Sequence, residues 1–579
     1  MHRIAIAAVV LAAVVTLRGA GEKNVDWPLH NLDLQNSRFS PLAQITSANA
    51  GKLALKWTFE TSKAESIGSV TPLVIDGVMY FNSGSKLFAV DAVSGKSKWT
   101  FNTDPPFGGG RRGPAYGDGR IYATGQRDMY VVDAKTGKAV ESFGDKGVLR
   151  VANKAMQFKY PGKYPVDVDP LRIGYSIASS PTYANGVVYL GLASAEMMVR
   201  GGIVVAMDGK TGAIRWVFNT VPQGPADDGW EIAKDTWGTG ARVGGGIWTQ
   251  PAIDEQLGLI YFNVSNPVPG YDGSPRHGIN LFADSIVALR LDTGKLAWHF
   301  QTVHHNVFEY ENVAGPALFD VTVKGVPVKA LATVGKTCYA YMLNRETGAP
   351  INPIVETAMP TATDVPGEQI WPTQPIPYTA RGVPQTPFCM TYPIVSDPQL
   401  AKRVRQMFTP YQAKEYILTA PGNTGGANWG SPSFSPRTGL LYATGKNDAH
   451  SLRVMPVGDS MAATPGPEML QHPDVNGPRG EKGLTPNMGI GAYDPASGGL
   501  TWYSELPGLT GSGSLVTAGD VLFQAVDRSF FGLDARTGKQ VFRHTGLASL
   551  GSSPMTYQVG KKQYVAVTSG NAVFVFGLR

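Results

Sequence analysis

Charge is the first thing this chain lacks. Asp, Glu, Lys and Arg make up 17 % of its 579 residues, against about a quarter in an average soluble protein. Long helices with solvated outer faces would raise that share, so a helical bundle or coiled coil is excluded. Cysteine is scarcer still. Cys338 and Cys389 are the only two, which leaves no thiolate cluster for zinc or iron–sulfur and no Cys-x-x-Cys-His for attaching haem. They pair or stay free in an oxidising compartment, and the sequence leaves both open. No basic run interleaved with aromatics occurs, and 51 Lys and Arg against 45 Asp and Glu give only +6, so no nucleic-acid partner is expected. The one marked apolar stretch runs from Ile4 to Leu17, after Met1-His2-Arg3 and before Gly19, Ala20 and Gly21. That is the layout of a secretory signal, and it is short of the ~20 residues that span a bilayer; an uncleaved anchor is the alternative. We therefore expect residues 1–21 to be a signal peptide and 22–579 to form a single exported, soluble periplasmic domain without stable membrane insertion.

What the chain does have is glycine, aromatics and a repeat. Its 69 Gly and 42 Pro fall below the roughly 25–30 % that marks disorder, while 23 Tyr, 23 Phe and 11 Trp supply a core. A pattern apolar-x-Asp-x-x-[Thr/Ser]-Gly-x-x-x-Trp recurs along the chain. It is read at Asp91–Gly95 with Trp99, Asp133–Gly137, Asp208–Gly212 with Trp216, and Asp292–Gly294 with Trp298. Further copies are Asn344–Gly348, Asp494–Gly498 with Trp502, and Asp534–Gly538; Trp57 is the tail of a copy whose head is lost or supplied from elsewhere. Alternating apolar residues before each Asp make a strand, the Asp/Thr/Gly segment a tight turn, and the Trp-bearing strand returns antiparallel. Small sheets of this kind cannot bury both faces alone, and radial packing solves that. The expected fold is all-β, an eight-bladed β-propeller with tryptophan-docking repeats, the N-terminal strand closing the ring against C-terminal ones. A Pro-rich stretch from Asn352 to Pro410 and a loop from Asp448 to Gly483 interrupt the period; either they carry ligand specificity or they decorate the surface.

Between the repeats lie Ala193–Gly202, Gly244-Gly245-Gly246-Ile247-Trp248, Val264-Ser265-Asn266-Pro267 and Gly425-Gly426-Ala427-Asn428-Trp429-Gly430, in that order. In register with the tryptophan turns, they resemble the pyrroloquinoline quinone (PQQ)-dependent alcohol dehydrogenases, the eight-bladed quinoproteins, across essentially the whole mature chain. The resemblance implies Ca²⁺ ligation by Glu196 and Asn266, stacking of PQQ on Trp248, and pairing of Arg112 with a PQQ carboxylate. It places Lys336 near the quinone oxygens and Asn428 and Trp429 over the reacting edge. Such an assignment is chemically sensible, because a tricarboxylate quinone needs cations, a hard metal and a flat apolar floor.

Two departures stand out. The family's adjacent cysteine pair is replaced by Phe107-Gly108-Gly109-Gly110, which implies a different, roomier cover over the cofactor. The family's His-Asp-x-Trp-Asp-Tyr reads His305-Asn306-Val307-Phe308-Glu309-Tyr310-Glu311 here. Glu309 matches the base that takes the alcohol proton, one methylene longer, and about an ångström of displacement is costly in rate. Glu311 sits where lanthanide-using members have an extra Asp, and it is read either as a further metal ligand beside Glu309 or as a surface charge at a strand end. The resemblance thus implies hydride transfer from an alcohol to PQQ with Ca²⁺ or a lanthanide as Lewis acid, and an external electron acceptor such as a cytochrome c. The stretch from Asp364–Glu368 through Pro372–Pro375 is similar to the glucose- and polyol-oxidising branch, whereas the missing membrane spans of that branch point toward soluble alcohol oxidisers, and the missing cysteine pair toward a secondary or bulky alcohol. A non-catalytic periplasmic propeller scaffold is the competing expectation; it gives no reason to keep Glu196, Asn266, Arg112 and Trp248 together.

Overall fold

Each Asp/Thr/Gly turn folds as its residues dictate. In Asp91–Gly95 one carboxylate oxygen accepts from the Ser94 amide (2.9 Å) and hydroxyl (2.8 Å), and Gly95 supplies the left-handed residue (φ +72°). The tryptophan of one copy then docks on the glycine of the next. A Cβ on Gly95 would stand 2.7 Å from the Trp57 ring, and one on Gly294 2.5 Å from Trp216. Each docked indole donates to a carbonyl of the same turn, Trp99 to Ala134 (3.1 Å) and Trp298 to Arg345 (3.1 Å) among them. Copies without tryptophan use substitutes: Phe143 and Leu149 cover Gly212, and Asn352 covers Gly498.

The computed structural model describes residues 24–103, 112–193, 197–393, 395, 398–454, 469–471, 487–508, 511–548 and 551–579. Its strands form eight antiparallel blades. The first comprises Leu73–Ile75, Val78–Asn82, Lys86–Asp91 and Ser97–Asn102. The following six lie within 115–149, 182–219, 252–301, 317–344, 433–507 and 515–545. Leu53–Glu60 pairs with Ala572–Leu578 to complete the eighth, so the strand carrying Trp57 is paired to the last strand of the chain and needs no turn of its own. Burial falls from the first three strands of a blade, which are almost wholly buried, to the fourth, which alternates. Neighbouring blades meet through apolar faces such as the stacked Phe319 and Phe434 rings, 4.2 Å apart.

Residues 29–40 lace the first strands of four blades together. Backbone bonds join Leu34 to Ile253, Gln35 to Leu318 and Ser37 to Phe434, and Phe39–Ser40 adds a parallel pairing to Val516–Thr517. The fully buried Arg38 donates to Ser514 O (2.6 Å) and Asn31 Oδ1 (2.9 Å). The first interruption of the period folds as a hairpin, Ile354–Ala358 with Thr373–Pro377. Farther on, Ile417–Thr419 pairs with His450–Val454, which pairs with Met469–Gln471; most of the second loop lies outside the described residues. Cys338 and Cys389, left open by the sequence, are joined by a disulfide. Among the described residues no helix is long and apolar enough to cross a membrane.

Candidate active site

The segments between strands meet because glycine lets their backbones touch. Gly244 (φ +101°) would drive a Cβ to 2.7 Å from Asn266 O, and the Gly245 amide donates to that carbonyl (2.9 Å). This contact brings the run that leads to Trp248 against the run carrying Asn266. Gly426 (φ +65°) lies against the Lys336 backbone, where a Cβ would stand 2.5 Å from Lys336 Cα, so the approach to Asn428 and Trp429 packs on the Lys336 turn.

His305–Glu311 is held by buried polar groups. The Asn306 side-chain oxygen accepts from the amides of Phe308 (3.0 Å) and Tyr310 (3.2 Å), and its amide donates to Asp284 Oδ1 (3.0 Å). Arg276, fully buried, donates to Asn306 O (2.8 Å) and Asn280 Oδ1 (2.7 Å). Burial pushes the Arg276 guanidinium down to about 10 and lifts the Asp284 carboxyl well above its usual range. Glu309 adopts φ +62°, a left-handed conformation that costs a non-glycine residue ~1–2 kcal/mol and persists only where its surroundings fix it.

Those surroundings are a buried charge cluster. Glu309 Oε2 lies 3.2 Å from Lys336 Nζ, and Oε1 accepts from the Asn266 amide. Ser265 Oγ is 2.9 Å from both Asn266 Oδ1 and Glu311 Oε2, and Lys336 Nζ is 3.6 Å from Glu311 Oε1. Glu309, Glu311, Asn266 and Lys336 are each at most 4 % exposed. The strand-end reading of Glu311 is therefore corrected: its side chain is buried inside the cluster. Burial pushes its carboxyl up against the pull of Lys336.

A second group collects the aromatics. The Arg112 guanidinium carbon is 4.3 Å from the Trp429 ring centroid and 5.5 Å from that of Trp248. Arg112 O accepts from His30 Nδ1 (2.6 Å) and the Thr71 amide (3.0 Å). Burial holds the His30 ring down at about 3, so that contact is made by a neutral imidazole donating through Nδ1. Glu196, Arg111 and Phe107–Gly110 lie outside the described residues.

Sequence reasoning passed over Arg276 and Asp284 and gave Asn306 no role; the available signal was, for Asp284, a charge set among the apolar residues Leu281–Ala283 and Ile286–Leu289 of a charge-poor chain. It also missed the tie between His305 and the first interruption of the period. His305 Nε2 lies 2.8 Å from Glu368 Oε1, and His305 Nδ1 2.7 Å from Gly278 O. That interruption is therefore not surface decoration throughout, since the buried Glu368 side chain touches the segment that carries Glu309.

The donors suit the implied groups. Carboxylate and amide oxygens without thiolate or imidazole fit a hard cation. Among the described residues no cluster of three His, Cys, Asp or Glu side chains forms, so ligation there would depend on the Asn266 amide together with the glutamates. Buried polar atoms without a hydrogen-bond partner, Glu311 Oε1, Asn428 Oδ1 and Trp248 Nε1, together with half-buried indoles and a guanidinium, fit a flat polyanionic ligand.

Comparison with known proteins agrees. The family model "PQQ: Glucose/ethanol/alcohol dehydrogenase, beta-propeller domain" matches residues 27–489 and 500–565. Quinohemoprotein alcohol dehydrogenase ADH IIB of Pseudomonas putida is 29 % identical over 96 % of this chain and 74 % of its own length. Quinoprotein glucose dehydrogenase of Escherichia coli K12 is 26 % identical over 94 % and 76 %. The crystal structure of quinohemoprotein alcohol dehydrogenase from Comamonas testosteroni superposes with a TM-score of 0.73 at 25 % identity, covering 96 % of this chain and 80 % of that one. With its eight blades and tryptophan turns, this chain belongs to the PQQ-dependent glucose/ethanol/alcohol dehydrogenase β-propeller family.

Proposed function

We propose that this protein is a periplasmic PQQ-dependent dehydrogenase that oxidises an alcohol, secondary or bulky, to the ketone or aldehyde. One observation carries the reading. Glu309 is a buried carboxylate whose two oxygens engage the Asn266 amide and the Lys336 ammonium, with Glu311 adjoining. When bound, PQQ supplies an ortho-quinone that takes up the hydride and the metal supplies Lewis acidity. Glu309 accepts the hydroxyl proton, and Lys336, 3.2 Å from its Oε2, keeps the side chain aimed. Glu196, Asn266, Glu309 and Glu311 would hold Ca²⁺ or a lanthanide, the second glutamate of the buried pair favouring the higher charge. Arg112, Trp248, Lys336, Asn428 and Trp429 would hold PQQ. No haem motif occurs in the sequence, so electrons leave to an external acceptor such as a cytochrome c.

The alcohol assignment draws on the Pseudomonas and Comamonas relatives, and the glucose dehydrogenase relative makes sugars the necessary control. The test is reconstitution of metal-stripped protein with PQQ plus Ca²⁺ or La³⁺, following dye reduction with primary, secondary and cyclic alcohols and sugars. Turnover of secondary or cyclic alcohols is expected. Turnover of sugars alone would move the substrate class, and absence of PQQ binding with either metal would leave a propeller scaffold.

A further inference from the structure

Glu309 reaches its two partners through a space that only glycine leaves open. Gly270 follows Asn266 by four residues on the same segment. A Cβ built on Gly270 would stand 2.6 Å from Glu309 Oε1 and 3.6 Å from both Glu309 Cδ and Asn266 Nδ2. A gap below 3.0 Å is ordinarily relieved when the opposing atom ends a flexible side chain. This one is not free to swing. Glu309 is 3 % exposed, its backbone is fixed at φ +62°, and its two oxygens are engaged by Asn266 and Lys336. Moving Oε1 away from Gly270 therefore breaks one of those contacts.

We infer that Gly270 is a positioning residue which sets how far the carboxylate of residue 309 extends, and that Gly270 and Glu309 work as a matched pair. The longer side chain is usable as a base because residue 270 has no Cβ; a side chain one methylene shorter would not need the space. Built on the reading of Glu309 as the base, the inference adds the residue that makes room for it. The pairing is one of length, not of charge, and this separates it from a general effect of crowding a buried segment.

A mutant cycle tests it with Gly270→Ala, Glu309→Asp, Glu309→Gln and the doubles G270A/E309D and G270A/E309Q. Two readouts are needed: steady-state kinetics of PQQ- and metal-loaded protein, and crystal structures and melting of the cofactor-free proteins. G270A is expected to lower kcat about 100-fold, the scale of an ångström of misplacement, with KM changed less than about 3-fold. Adding G270A to E309D is expected to lower kcat less than about 3-fold further. In the cofactor-free crystals G270A moves the Glu309 carboxylate off Asn266 or Lys336, and G270A/E309D leaves residue 309 where it stands in E309D alone. The Tm loss due to G270A should be the same beside E309Q as in the parent, since glutamine keeps the length, and smaller beside E309D. Equal losses of kcat and Tm in the parent and E309D backgrounds, an unmoved carboxylate in G270A, or failure of G270A to fold in both backgrounds would each overturn the inference. If the parent turns over no alcohol or sugar, the proposed function fails on its own while the crystallographic and melting cycles still decide the pairing.

Discussion

At the scale of single residues, the site works by burying charges together. Lys336 faces two glutamates at 3.2 and 3.6 Å with almost no solvent, so its charge is what makes their burial tolerable. Lys336→Met keeps the volume and leaves both carboxylates unpaired. We expect the cofactor-free protein to lose ~3–5 kcal/mol, read from chemical denaturation, and Glu311→Gln in the same background to recover part of it. Asn266 and Glu309 could be singled out beforehand because they stand in short segments that resemble the family's, and Lys336 because it falls where the family uses Lys or Arg; the structure adds that the three side chains meet. Arg276, Asp284 and Gly270 could not be, since their roles come from contacts between segments that no local spacing encodes. Glu311 lay between these cases: its position was noted, but only the structure shows that it is buried beside Lys336 and not a surface charge.

Elements add the docking of tryptophan on glycine and the latch from the first interruption of the period. Gly294 combines φ +68° with a Cβ position 2.5 Å from the Trp216 ring, so Gly294→Ala must both strain the turn and push the indole out. We expect it to destabilise more than Trp216→Phe, with a lower Tm by calorimetry as the check. Burial would raise the Glu368 carboxyl, yet the hydrogen bond and charge of His305, helped by Arg276, outweigh it and hold the group below its usual value. A carboxyl depressed in the folded state contributes stability above its unfolded pKa of ~4 and loses it as pH falls through the folded value. Glu368→Gln should therefore flatten the acid limb of the stability profile below about pH 4; an unchanged acid limb would count against the latch. The repeat made the blades readable in advance. The latch was not, because His305 and Glu368 are 63 residues apart and neither residue type announces the other.

For the whole molecule, closure of the ring and its lacing set the stability. The strand pairing of Leu53–Glu60 with Ala572–Leu578 was expected from the missing head of the Trp57 copy, whereas the lacing by residues 29–40 was not, since a segment with few strand signals gave no hint of crossing four blades. Arg38→Ala removes donors to Ser514 O and Asn31 Oδ1 and empties a fully buried space. We expect a cooperative loss of several kcal/mol, seen as a lower midpoint in guanidinium. The disulfide spans a separation of 51 residues and should contribute ~4 kcal/mol on a loop-entropy basis; melting with and without reductant checks it. The central claim is that this propeller holds PQQ over a glutamate base, and one measurement reaches it most directly: PQQ titration and alcohol turnover of Glu309→Gln beside the parent, both loaded with the same metal. The account predicts PQQ binding within a few-fold of the parent and kcat lower by ~10²–10⁴-fold. Full turnover by the glutamine variant would contradict it.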